Sequence, residues 1–120
     1  MISPTKAALG LVLATAFAIP AHAGDFVTKA QVDRSGGYNI ALKDGSVARI
    51  MDIRPPKGEY KECHVDIPSV RKLTQEAQDS KKFGHVPIRL RARMDTIGNF
   101  FCLGKGNGCV VIVMVPIPQA

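Results

Sequence analysis

Apolar and polar residues alternate over several short stretches of the chain, and this period of two is typical of β-strands. The stretches predicted as strands are residues 26–32, 38–42, 47–53, 60–65 and 86–94. Residues 60–65 are expected to form a short edge strand. The Asp44-Gly45 pair between the second and third stretches predicts a hairpin. Residues 100–115 add further strand signal, because apolar runs flank a glycine-rich centre.

Only one segment has the apolar spacing of a helix. Its apolar face consists of Val70, Leu73 and Ala77. Asp66 is predicted as the N-cap, and Gly84 as the glycine that follows the helix end. Because the apolar stripe is narrow, the helix is expected to cover one side or end of a sheet.

The predicted order is therefore strands, one helix and further strands, which is a mainly β fold class with one α-helix. This order is typical of a small OB-like Greek-key barrel, a fold that binds oligonucleotides and oligosaccharides. An open antiparallel sheet packed by one helix is the alternative.

The first 23 residues predict a signal peptide. Lys6 precedes an apolar run at 7–19, and Ala21-His22-Ala23 forms a small-x-small cleavage site. The apolar run is shorter than the roughly 20 residues that a membrane-spanning helix needs. We therefore expect a single domain at residues 24–120, exported to the periplasm or secreted, with no membrane span.

Export places the three cysteines in an oxidising compartment, where disulfides persist. In the stretch FFCLGKGNGCVVIVMV, a turn centred on Lys105-Gly106 would place Cys102 opposite Cys109, at a separation that a disulfide accepts. Cys63 would then remain as a free thiol. A Cys63–Cys102 bridge is the alternative.

The most informative chemical pattern is the alternating segment IRLRARM at residues 88–94. In a strand it places Arg89, Arg91 and Arg93 on one face, about 6.5–7 Å apart. Each guanidinium can bind a carboxylate or phosphate bidentately. With Lys105 they form the predicted anion-binding set. The alternatives are a solvated face paired with acids of a neighbouring strand, or a charged subunit interface.

The net charge of +6 supports steering of anionic ligands. Nucleic acid is disfavoured, because an exported protein meets little of it and few aromatic residues are available for base stacking. An acidic glycan or a partner protein is the expected ligand.

Residues for catalysis or for metal binding are sparse. Cys63 and His64 are adjacent, so on a strand they face opposite ways and cannot bind one metal together. No set of four ligands with zinc spacing is present. A nuclease site could be assembled only from scattered residues, namely His64, Glu59 or Glu62, and Arg91. We therefore predict a protein that is not an enzyme and that needs no cofactor or metal.

Several segments together resemble a known family. They are the hairpin at residues 40–47, Glu76-Ala77 followed by the segment 84–90, and Phe101-Cys102-Leu103. In combination with the signal peptide, the pattern resembles the receptor-binding B subunits of AB5 bacterial toxins. The resemblance implies an oligomeric, pentamer-forming OB fold that binds host glycans and a toxin A subunit, but it carries over no receptor-binding residue. The alternatives are a periplasmic inhibitor or immunity protein, a secretion-apparatus component or, less favoured, a small basic secreted nuclease.

Overall fold

A computed structural model describes residues 25–119, so the predicted signal peptide lies outside the described residues. Within this range the chain forms seven strands and two helices. In chain order these are β1 (Phe26–Thr28), α1 (Lys29–Ser35), β2 (Tyr38–Ala41), β3 (Val47–Arg54), β4 (Cys63–Asp66), α2 (Ile67–Asp79), β5 (Gly84–Met94), β6 (Phe100–Leu103) and β7 (Cys109–Val115).

All seven strands belong to one curled, half-barrel sheet with the order β1-β4-β6-β5-β7-β3-β2. The β4–β6 pair is parallel, and the other pairs of described strands are antiparallel. The predicted mainly β fold is confirmed. The curled sheet agrees with the barrel-like architecture, and the alternative of a sheet packed by a helix also fits.

Strand β5 joins the two parts of this sheet. Its residues 84–90 pair with β7, and its residues 91–94 pair with β6. The chain turns from β5 into β6 at Asp95, whose carboxylate accepts hydrogen bonds from the backbone N–H groups of residues 97, 98 and 99 at 2.9 Å each. Strands β6 and β7 therefore both pair with β5, and the expected two-stranded hairpin centred on Lys105-Gly106 does not form.

The first strand is shorter than predicted, because a helix begins at residue 29. Thr28 and Gln31 form a capping box: the Gln31 N–H donates to Thr28 Oγ1 at 3.1 Å, and the Thr28 N–H donates to Gln31 Oε1 at 2.8 Å. Such reciprocal bonds satisfy donors that a helix start leaves open. Gly36 ends α1 with φ 78°, and Val32 is buried. The prediction of a strand over residues 26–32 is thus wrong beyond Thr28.

Helix α2 begins as predicted and ends earlier. The Asp66 carboxylate accepts a hydrogen bond from the Ser69 N–H at 3.0 Å, which confirms the N-cap. The C-cap is Ser80, and Lys81 takes the left-handed conformation with φ 61°. Gly84 does not follow the helix directly; it opens β5. The predicted edge strand at 60–65 is also displaced, since β4 lies between β1 and β6 inside the sheet.

The core lies under the sheet and is closed by α2. Strand residues such as Ile50, Val65 and Val113 are fully buried, as is Val70 of the helix. The amide nitrogen of Gln78, on the same helix, donates to Ser46 Oγ at 3.1 Å and to the Pro116 carbonyl at 3.0 Å. These bonds attach the β2–β3 hairpin and the C-terminal tail to α2.

Candidate functional site

The predicted alternation along β5 is present. Ile88 and Leu90 are 5% and 0% exposed, whereas Arg89, Arg91 and Arg93 are exposed. Among the described residues none of the three arginines forms an ion pair. Within residues 25–119 these arginines therefore do not pair with acidic residues of a neighbouring strand, which was the alternative to anion binding.

The neighbours of Arg91 and Arg93 are apolar and aromatic. In the β5–β6 register Arg91 lies opposite Leu103 and Arg93 lies opposite Phe101. In the β4–β6 register Phe101 lies opposite His64. Residues directly opposite each other project from the same face of a sheet. The sheet therefore forms a continuous surface here, the arginine–aromatic face.

The members of the arginine–aromatic face are Arg91, Arg93, Phe101, Leu103, His64 and Phe26. Three of them form a ring cluster. The ring centroid of Phe101 is 4.6 Å from that of His64 and 5.6 Å from that of Phe26. Phe26 is 42% exposed and Leu103 is 41% exposed. Aromatic and apolar side chains left open beside unpaired guanidiniums are features of a binding surface.

Two depressions adjoin at Arg93. One has a volume of about 420 Å³ and is lined by Arg91, Arg93, Leu103 and Gly104. The other has a volume of about 490 Å³ and is mainly apolar, with Phe26, Met94, Phe101 and Leu103 in its lining beside the polar Arg93, Asp95 and Thr96. Both volumes lie within the range of roughly 300–1,000 Å³ that is common for small-ligand sites. The arginine–aromatic face thus combines a cationic and an apolar recess.

Arg89 and Lys105 lie elsewhere, in a cleft of about 340 Å³ between α2 and β5. The loop 104–108 carries Lys105 and crosses close to the β5 backbone. A Cβ on Gly106 would lie 2.6 Å from the Arg91 Cβ, so only glycine fits there. The Gly104 N–H donates to Ser69 Oγ at 2.8 Å, which ties the loop to α2. The four predicted binding residues are therefore divided between two sites.

Two of the hypothetical nuclease residues, His64 and Arg91, lie on the arginine–aromatic face but on strands that are not neighbours. His64 Nε2 lies 3.1 Å from a carboxylate oxygen of Glu62. Strand β6 lies between β4, which carries His64, and β5, which carries Arg91. The residue of β6 that lies directly opposite His64 is Phe101.

The cysteines form a buried sulfur cluster. Cys102 and Cys109 form the predicted disulfide, with their Cα atoms 6.0 Å apart. Cys63 is a free thiol, and its Sγ lies 4.0 Å from Cys102 Sγ. Burial raises the pKa of Cys63 to about 11. All three Sγ atoms lie within 4.8 Å of one another. Because Cys102 and Cys109 are disulfide-bonded, Cys63 carries the single thiol of this cluster.

Comparison of the chain with protein-family models, with curated proteins and with solved structures found no match. The resemblance to toxin B subunits thus remains a prediction. None of the helices in residues 25–119 is long and apolar enough to cross a membrane.

Proposed function

We propose that this protein is an exported, non-enzymatic binding module that recognises an acidic glycan through the arginine–aromatic face. The observation that carries the proposal is the adjacency of two guanidiniums, on Arg91 and Arg93, to the exposed ring of Phe26 and the half-buried ring of Phe101; neither guanidinium has an acidic partner within residues 25–119.

An acidic sugar presents two features that this face complements. Its carboxylate or sulfate can accept paired hydrogen bonds from a guanidinium, which are stronger than bonds between neutral groups. The apolar C–H face of its ring can pack on an aromatic side chain, because such rings supply a large flat area for contact. A neutral sugar would use only the second feature, so affinity should depend on the charge of the ligand.

Calorimetric titration of the purified protein with a heparin fragment, and with the same fragment after desulfation, tests the proposal. We expect the sulfated fragment to bind, and the desulfated one to bind much more weakly. Replacing Arg91 or Arg93 with glutamine should weaken binding by at least about tenfold each, since a hydrogen bond to a charged group contributes roughly 1.5–3 kcal/mol.

Arg54→Gln is the matched control, because Arg54 is also exposed on a strand of this sheet but pairs with Asp52 at 3.0 Å. If this variant weakened binding as much as the β5 variants, the affinity would reflect net charge alone and the proposal would be wrong. Tighter binding of single-stranded DNA than of the sulfated fragment would contradict the choice of ligand.

The resemblance to toxin B subunits adds a proposal about assembly: the protein forms a homo-oligomer that presents several copies of this face and docks a toxin A subunit. Size-exclusion chromatography with light scattering tests it. A pentamer would support this arrangement, and a monomer would overturn it while leaving the glycan site open to the titration.

A further inference from the structure

A second surface of the molecule lies where β5 runs beside α2. The helix contributes Leu73 and Ala77 to one wall of the 340 Å³ cleft, and residues 86–89 of β5 form the other wall. Its lining includes Lys82, Arg89 and Lys105, and Glu76 is the one acidic residue that the described part of the chain contributes to it. None of the three cations forms an ion pair within residues 25–119. We call this cleft the β5-edge groove.

Within residues 25–119, no strand pairs with the edge of β5 that faces the groove. Residues 84–90 pair with β7, and pairing with β6 begins only at residue 91. Pro87 lies in the middle of this segment, opposite Ile112. Proline has no N–H to give to a ladder, so its nitrogen is expected to point away from β7, toward the open edge.

The neighbouring backbone groups agree with this orientation. In an antiparallel strand every second residue directs its N–H and C=O to the same edge. Arg89, two residues after Pro87, accepts a hydrogen bond through its carbonyl from the Gly106 N–H at 3.3 Å, and Gly106 belongs to the loop, not to β7. The open edge therefore offers the N–H groups of His85 and Arg89 and the carbonyls of His85 and Pro87.

We propose that the β5-edge groove binds an extended acidic segment of a partner protein, which adds to β5 as a further strand. Main-chain hydrogen bonds to an exposed edge supply affinity in this mode of recognition, and side-chain pockets supply specificity. Here the apolar wall of α2 accepts one set of alternating side chains. Lys82, Arg89 and Lys105 meet the carboxylates of the other set.

Charge selects this occupant over a second copy of the chain. Two β5 edges brought together would oppose the same cations and would place two prolines in one ladder, and both features discourage pairing between edge strands. An acidic segment meets neither obstacle, because it neutralises the cations and leaves only Pro87 without a donor. The proposal concerns a site other than the arginine–aromatic face, so either one can fail alone.

Fluorescence anisotropy of the purified protein with three labelled peptides tests the proposal. The first peptide alternates glutamate and valine, the second alternates lysine and valine, and the third is the first with alternate backbone nitrogens methylated. We expect the first to bind, the second not to bind, and the third to bind at least about tenfold more weakly, because methylation removes main-chain donors without changing charge. Equal binding of the first and third peptides would overturn strand addition, and equal binding of the first and second would overturn the selection by charge.

Variants locate the site. Arg89→Glu with Lys105→Glu should weaken binding of the acidic peptide by about tenfold or more, because two attractions become repulsions. Arg91→Glu with Arg93→Glu makes the same change in net charge at two positions of β5 outside the groove, and it should leave peptide binding within about twofold. Amide hydrogen exchange should slow at His85 and Arg89 when the acidic peptide binds. Loss of peptide binding in the control pair but not in the first pair would place the site on the arginine–aromatic face and refute the groove.

Discussion

The disulfide is expected to be replaceable by a second bridge when one of its cysteines is removed. In the Cys109→Ala variant, Cys102 loses its partner, but its Sγ remains 4.0 Å from that of Cys63 in a buried site. A modest movement of the two side chains would bring these sulfurs into bonding distance. We therefore expect a Cys63–Cys102 bridge in this variant when it folds under oxidising conditions.

The expected stabilities follow from loop lengths. The native bridge joins residues with a sequence separation of 7, for which the chain-entropy relation gives about 2.4 kcal/mol. The replacement bridge would join residues with a separation of 39, for which the same relation gives about 4 kcal/mol before any strain. The double variant Cys102→Ala/Cys109→Ala has neither bridge, so its Tm should fall by about 10–20 °C. Cys109→Ala alone should retain most of that stability.

Thermal unfolding by circular dichroism and peptide mapping without reductant provide the two readouts. Cys63→Ala is the control, because it removes a buried sulfur and leaves the native bridge intact. The reasoning would be refuted if Cys63 and Cys102 were both alkylated in the oxidised Cys109→Ala variant, or if this variant were no more stable than the double variant. In the wild-type protein, thiol–disulfide exchange between Cys63 and the native bridge requires the Cys63 thiolate. Because burial raises the pKa of Cys63 to about 11, the rate of this exchange should increase about tenfold per pH unit between neutral pH and pH 11.

Three further predictions concern stability. The carboxylate of Asp66 caps α2 by accepting a hydrogen bond from the Ser69 N–H at 3.0 Å. Urea unfolding should show that Asp66→Ala lowers the free energy of unfolding by about 1 kcal/mol. The control variant Asp33→Ala, on exposed α1, should lower it by less. Gly106→Ala places a Cβ 2.6 Å from that of Arg91, so the loop must shift; we expect a loss of about 1–3 kcal/mol, and an unchanged free energy of unfolding would contradict the close approach. The Asp44 pKa is lowered by hydrogen bonds from the Ser46 side chain and backbone and from the Gln119 N–H. The Asp44 carboxylate therefore contributes to the free energy of unfolding above the ordinary carboxyl pKa, and this contribution is lost as the pH falls through the lowered pKa. In the Asp44→Asn variant, urea unfolding at a series of pH values should show a smaller loss of stability on the acid side. An unchanged acid side would refute the linkage.

Local signals in the sequence predicted the elements that depend on neighbouring residues. The Asp44-Gly45 pair, the Asp66 cap and the alternation through Arg89, Arg91 and Arg93 each act within a few residues, and the structure contains all three features. The capping box of Thr28 and Gln31 was an equally local signal, but the apolar and polar residues that follow it also fit a strand. Periodicity alone does not separate a seven-residue helix from a short strand.

Strand partnership could not be predicted in the same way. Two glycine-containing loops flank β6, at residues 95–99 and 104–108, and from the sequence either could be the turn of a hairpin that contains β6. In the structure the first loop is that turn: it joins β5 to β6, and the carboxylate of Asp95 accepts backbone hydrogen bonds within it. The division of the binding residues follows from this choice, because Arg89 lies before the change of partner along β5 and Arg91 after it. Phe26, His64 and Phe101 were not recognised as one surface, since they come from three strands that only the sheet order brings together.

The position of the disulfide has a consequence for how the molecule opens. Cys109 lies opposite Leu90 in the β5–β7 pair, and Cys102 lies opposite Ala92 in the β5–β6 pair, so the bridge spans the point where β5 changes neighbours. Without it, the β1-β4-β6 part and the β7-β3-β2 part would share only β5 as sheet and could open as separate cooperative units. Because the bridge joins β6 to β7, neither part can move away from β5 without pulling on the other. Reduction should therefore lower the free energy at which one part opens locally while the other part stays folded.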